Sequence, residues 1–254
     1  MKKVLEVCVD SLISAREAIR GGADRLELCS ALAVGGLTPY TALLEQIKRE
    51  SDIPVRCLMR PRPGDFLYTR EELELMAVQI RELRNCGADG FVLGCLTPEG
   101  ELDGEALAPL LEAASGTGLT LHRAMDVSRN LEETYVRVGA LGFDTVLTSG
   151  GGSGCLKGLD TIGRLLTRQR EQGGPEILIG AGVNAQVIGT IRAHYPEARC
   201  FHMSGKREIE SGMSFRREGV PMGLPGLDEW HIRQTDGEAV RQARAALYGS
   251  AQRD

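Results

Sequence analysis

The stretch VLEVCVDSLISAREAIRGGADRLELC, residues 4–29, reads as one strand–helix–strand unit and decides the fold. Val4 to Val9 alternates apolar residues with Glu6 and Cys8, and Arg25 to Cys29 alternates in the same way, so each reads as a strand. Between them, Asp10 or Ser11 caps a helix through Ala15-Arg16-Glu17-Ala18-Ile19-Arg20, and Gly21-Gly22 stops it. Two strands joined through a helix lie parallel. Alternate residues of a strand share a face, which places Glu6 with Cys8, and Arg25 with Glu27 and Cys29. A buried strand ordinarily carries Val or Ile at such positions. A carboxylate and a thiol on both neighbours point to a site.

The same unit recurs along the chain. Thr38-Pro39 opens a second helix reaching about Arg49, with Pro at its first position. Pro54 to Arg60 is strand three, followed by the polar loop Pro61 to Phe66, and Thr69 opens a helix with capping-box spacing to Glu72. Gly90–Gly94, Leu119–Arg123, Thr145–Thr148, Ile177–Gly180 and Cys200–Ser204 supply strands four to eight. Helices follow them, the last from about Gly237 to Tyr248, after an irregular tail over residues 206–227. Eight units of roughly 32 residues make a (β/α)8 TIM barrel of the α/β class, expected as a single domain over residues 1–254. An open doubly wound sheet would want Gly-x-Gly-x-x-Gly after strand one, where this chain has Asp10-Ser11-Leu12, so no nucleotide cofactor is expected.

Composition narrows the function classes. With 42% hydrophobic and 26% charged residues the chain reads as a soluble globular protein. No apolar run is long enough to span a membrane. Glu6 and Asp10 interrupt any signal-peptide core, which gives the expectation of a cytoplasmic protein. A net charge of −5 without basic runs excludes nucleic acid as an expected partner. Seven scattered cysteines, with no Cys-x-x-Cys, fit a reducing compartment rather than a disulfide framework.

Barrel sites lie at the C-terminal ends of the strands. There, strand one offers Cys8 and Asp10, with Glu6 deeper; strand two offers Cys29, with Glu27 and Arg25 deeper. Strand three and its loop give Arg60, Arg62 and Asp65; strand five gives His122, Arg123 and Asp126; strand six gives Thr148 and Ser149. Gly180 and Gly182 follow strand seven; His202, Ser204 and Gly205 end strand eight. If Cys29, His122 and His202 point inward, then Leu26, Leu28, Leu119, Leu121, Phe201 and Met203 face the helices, and Cys8, Cys29, His122 and His202 converge. The other cysteines read as core, and His194 and His231 as surface residues. Glu6, Glu27, Arg25 and Arg60 would serve equally as an internal ion network.

Two chemistries suit this mouth. Cys8 and Cys29 on adjacent strands, with His122 and His202, form a soft donor set for Cu(I), or for zinc with all four ligands. Alternatively, Glu27, His122 and Asp126 act as acid–base groups on a small anionic metabolite held by Arg60 and Arg62. Glu6, Asp10, Arg25, Asp65 and Arg123 would then line the pocket, and Gly180, Gly182, Ser204 and Gly205 would bind a phosphate. The run Gly150–Gly154 is either a second anion nest or a flexible loop.

Several motifs together resemble one family. They are Glu6-Val7-Cys8-Val9-Asp10-Ser11, Gly22 to Cys29, Gly35-Gly36-Leu37-Thr38-Pro39, Arg60 to Tyr68, His122-Arg123-Ala124-Met125-Asp126, Val146 to Gly150 and Ser211 to Arg216. The combination is similar to the CutC family of copper homeostasis proteins over nearly the whole chain. Pro63 stands where that family has glycine, and Met125 where it has Phe. The resemblance implies a cytoplasmic barrel, a homo-oligomer, that handles copper at a pocket built from the matched residues.

Overall fold

The structure, a computed structural model, describes residues 2–217, 219–220, 222–223 and 228–249. Eight parallel strands close into a barrel: β1 (Val4–Val9), β2 (Arg25–Leu28), β3 (Val55–Leu58), β4 (Gly90–Leu93), β5 (Gly118–Leu121), β6 (Thr145–Thr148), β7 (Glu176–Ile179) and β8 (Cys200–Met203). Pairing of β1 with β8, in the register Val4↔Cys200 to Val7↔Met203, shuts the ring. Seven helices alternate with the strands: α1 (Leu12–Gly21), α2 (Thr41–Glu50), α3 (Arg70–Asn85), α4 (Gly104–Ala113), α5 (Leu131–Ala140), α6 (Leu159–Gln172) and α7 (Ala185–His194). The last helix, α8 (Gly237–Tyr248), packs between α1 and α7 and completes the outer layer.

Local chemistry sets the ends of these elements. Ser11 caps α1 by accepting from Ser14 N–H, and Gly22 ends it in a left-handed conformation. Thr69 and Glu72 form the expected capping box at the start of α3. Thr38 does not cap α2, whose N-cap is Tyr40. Its hydroxyl instead bridges the backbone of Arg60, accepting from the N–H and donating to the carbonyl, and so ties the β2 loop to the end of β3.

The expected inward and outward parity holds. Leu26, Leu28, Leu121, Phe201 and Met203 belong to the main core between strands and helices. The barrel interior holds two small apolar clusters, Cys29–Leu58–Val92 and Leu147–Leu178–Cys200. Its N-terminal half is charged. Arg25 pairs with Glu6 at 2.5 Å, and Arg56 reaches Asp144 at 2.8 Å and donates to Thr120 at 2.6 Å. Gly118 makes room for that guanidinium, because a Cβ there would stand 2.5 Å from Arg56 Nη2.

The irregular tail expected over residues 206–227 is corrected in its first part. Lys206–Glu210 is a strand, β9, paired antiparallel with β10 (His231–Thr235). Residues 218, 221 and 224–227 of that stretch lie outside the described residues. No helix among the described residues is long and apolar enough to cross a membrane.

Candidate functional site

Three adjacent strands build the centre of the mouth. Cys8 from β1, Glu27 from β2 and His202 from β8 offer donor atoms that all lie within 4.8 Å of one another. Each occupies an inward position of its strand, and each is more than four-fifths buried. Cys8 is paired with Glu27, and Glu6 with His202, in the strand register. The alternation that made residues 4–29 unusual therefore assembles this group directly.

Electrostatics fixes the histidine. His202 Nδ1 lies 2.8 Å from Glu6 Oε1, and the other ring nitrogen, Nε2, lies 3.8 Å from Glu27 Oε2. Burial opposes charge on Glu6, yet Arg25 and the hydrogen bond from His202 outweigh it and hold the carboxyl at about 2. Glu6 is thus an anion that accepts from Nδ1–H and aims Nε2 at Cys8 and Glu27. Burial also opposes a charged His202, but Glu27, Cys8 and Glu6 together raise its pKa well above the ordinary histidine value. Burial pushes Glu27 up to about 7 despite the neighbouring imidazole.

Cys29 and His122 stand outside this group. The Cys29 thiol is fully buried, donates to Val9 O at 3.5 Å and packs with Leu58 and Val92. Burial, then the adjacent Cys8, raises its pKa well above the usual thiol value. His122 Nδ1 accepts from Ala124 N–H at 3.2 Å, and burial followed by the Arg60 charge lowers its pKa to about 3. The ring is neutral, so its proton is on Nε2. That N–H has no partner among the described residues. Leaving a buried donor unmet costs about 1–3 kcal/mol.

These side chains line a cavity of about 270 Å³, with Cys8, Glu27 and His202 on one side and Arg60, His122 and Arg123 on the other. Leu32, Val34, Leu58, Phe66 and Leu147 supply its apolar wall. Phe66 bridges two of the polar residues, with its ring 4.6 Å from that of His122 and 5.6 Å from the Arg60 guanidinium. Inward parity of Leu58 and Leu147 was the available signal for those two. Phe66, Leu32 and Val34 come from loops, where periodicity says nothing.

Several expected site residues have other roles. Arg60 donates to the carbonyls of Val34, Gly36 and Gly64, so it pins two loops as well as lining the cavity. Arg62 binds Glu72, Asp65 and the Leu67 carbonyl, and neither Arg62 nor Asp65 lines the cavity. Asp126 accepts from Thr148, Ser149, Gly151 and Arg123, which leaves no oxygen free for acid–base work. In the glycine run after β6, Gly151 N–H donates to Asp126 and Gly150 N–H to the Thr148 hydroxyl. Gly180 N–H donates to Thr148 O, and Gly205 O accepts from Asp236 N–H. Gly180, Gly182, Ser204 and Gly205 are not on the wall of the mouth cavity. Ser204 and Asp10 border a separate cavity of about 390 Å³ under the β9–β10 hairpin, and Arg25 lies below the group, on Glu6.

Comparison with known proteins matches this chain to one family. The model of the CutC family matches residues 3–206. A CutC family protein of Porphyromonas gingivalis is 41% identical over 250 residues, covering 98% of this chain and all of that one. The human copper homeostasis protein cutC homolog is 40% identical over 243 residues, covering 95% of this chain and 88% of its own. The solved structure of the CutC protein of Streptococcus agalactiae superposes with a TM-score of 0.74 at 30% identity, over 80% of this chain and 98% of that one. Phosphoribosyl anthranilate isomerase of Thermococcus kodakaraensis, at 14% identity and a TM-score of 0.59 over 98% of this chain and the whole of its own, shares the barrel fold alone. This chain, by sequence and by structure, belongs to the CutC family.

Proposed function

We propose that this protein handles copper by binding Cu(I) at the barrel mouth, through Cys8 and His202 with Glu27 beside them. The observation that carries this reading is the close approach of those three donors, with Glu6 bonded to the far nitrogen of the histidine. A thiolate and an imidazole are soft and borderline donors that suit a cuprous ion. A metal-ligating histidine characteristically gives its other N–H to a carboxylate, and Glu6 occupies that role. The copper homeostasis name of the human relative supports the same reading. A cytoplasmic location and self-association belong to this reading as expectations.

Titration of reduced protein with Cu(I) against a competing chelator tests the proposal. Cys8→Ser and His202→Ala are each expected to weaken binding by at least about tenfold, and Cys29→Ser to leave it near the wild-type value. Unchanged affinity in Cys8→Ser would sink the site. An equal loss in Cys29→Ser would move it to the thiol pair.

A further inference from the structure

The β9–β10 hairpin covers a second cavity, of about 390 Å³, which shares only Leu32 with the mouth cavity. That volume lies within the ~300–1,000 Å³ range of small-ligand sites. Strand register fixes which hairpin side chains face it. Lys206, Glu208 and Glu210 stand opposite Thr235, Arg233 and His231, and residues paired in this way share one face. Thr235 is buried, its N–H donating to Ser14 Oγ and its hydroxyl to Ser204 O, so this is the face turned to the barrel. Every β9 and β10 residue on the cavity wall has this parity except Gln234. The facing wall comes from Asp10 at the end of β1, Ser14 on α1, Leu32 and Ala33 after β2, and Ser204 at the end of β8.

Most of the charge in the cavity is already paired, Arg233 with Glu208 at 3.3 Å and His231 with Asp228 at 2.7 Å. Two groups of opposite sign are left. Lys206 is exposed and has no carboxylate partner among the described residues. Asp10 is half-buried, and only its Oδ2 has a partner there, the Leu32 N–H at 3.3 Å. The Ser204 hydroxyl is also half-buried and without a partner among the described residues, and neither it nor Asp10 Oδ1 is sealed from solvent. A ligand with one charge would satisfy either Lys206 or Asp10 and be repelled by the other. A zwitterion satisfies both, and Leu32 and Ala33 offer its side chain an apolar surface.

We propose that the cavity under the hairpin binds a small zwitterion of the α-amino-acid class, its carboxylate on Lys206 Nζ and its ammonium on Asp10 Oδ1 and Ser204 Oγ. The copper reading is not a premise of this site, which uses neither Cys8 nor His202.

The test uses the full-length, reduced protein with L-valine as probe, isovalerate as the same body without the ammonium and isobutylamine as the same body without the carboxylate. Calorimetric titration is expected to show saturable valine binding, with each single-charge analogue at least about fivefold weaker, the scale of one exposed ion pair. Lys206→Gln is expected to lose the preference for valine over isobutylamine and to keep that over isovalerate. Asp10→Asn, whose amide oxygen still accepts from Leu32 N–H, is expected to do the reverse. Cys8→Ser binds valine as the wild type does, so a failed copper titration and a failed amino-acid titration are separate results. Absence of saturable valine binding, wild-type affinity for either analogue equal to that for valine, or unchanged preferences in folded Lys206→Gln or Asp10→Asn overturns the proposal.

Discussion

Glu6 has two cationic neighbours and no access to water, being 0% exposed between Arg25 and His202. Glu6→Gln would leave Arg25 buried without its paired carboxylate and His202 with Glu27 alone. Breaking a buried pair in this way costs about 3–5 kcal/mol, and the expected outcome is a correspondingly lower urea midpoint. His122 makes a different residue-scale prediction, through pH. Its pKa falls from the ordinary 6.5 to about 3 on folding, so below pH 6.5 the unfolded chain binds a proton that the folded chain refuses. Its contribution is therefore complete above that pH and is lost progressively as pH falls toward 3. At about 1.4 kcal/mol per pH unit, lowering the pH to 5 costs at most about 2 kcal/mol. Urea unfolding at a series of pH values should show this slope in the wild type and a flatter one in His122→Gln. The inward facing of Glu6, Cys8, Glu27 and His202 was legible from alternation alone. The saturation of Asp126 was not, because it depends on donors 22 to 25 residues away whose approach no local pattern encodes.

At the scale of elements, the β2–α2 loop is the piece most exposed to a single change. Gly36 in that loop has φ +87°, and a Cβ there would stand 2.7 Å from Leu58 Cδ2 and 3.5 Å from Cys29 Cβ. Gly36→Ala combines a left-handed alanine, about 1–2 kcal/mol, with crowding of about 1–3 kcal/mol. A loss of about 2–5 kcal/mol in chemical denaturation is expected, and a loss below ~0.5 kcal/mol, the range of an ordinary surface substitution, would show that the loop adjusts freely. Helix ends at Gly22, Thr69 and Tyr248 followed from caps and glycines readable one at a time. The β9–β10 hairpin escaped because Lys-Arg-Glu-Ile-Glu and His-Ile-Arg-Gln-Thr are mostly charged or polar and mostly exposed, so no buried face writes an alternation into them. Thr38 departs from the expected cap for a related reason: Thr-Pro is a valid cap, and a bridge to Arg60 across 22 residues competes with it successfully.

Across the whole molecule, the closed ring was the most legible feature, since eight alternating units leave a parallel sheet few other ways to bury its edges. Closure is held from outside by α8. That helix buries Val240, Ala243 and Leu247, each large apolar side chain contributing about 1.5–3 kcal/mol, and its end binds the start of the chain through Lys3 Nζ to Leu247 O and Tyr248 to Lys3 O. Arg244 adds a bond to Gly22 O at the end of α1. Deleting residues from 237 onward is expected to abolish cooperative unfolding, monitored by circular dichroism against temperature; a sharp transition near the wild-type temperature would show that the ring closes without α8.

The bond between Glu6 and His202 spans 196 residues and crosses the seam where the first strand meets the last. A chain still emerging from the ribosome carries Cys8 and Glu27 early, yet it has no third donor and no oriented imidazole until nearly four-fifths of its length has been made. The cluster is thus a certificate that the last strand has joined the first, and any ion it captures clasps the two ends of the ring together.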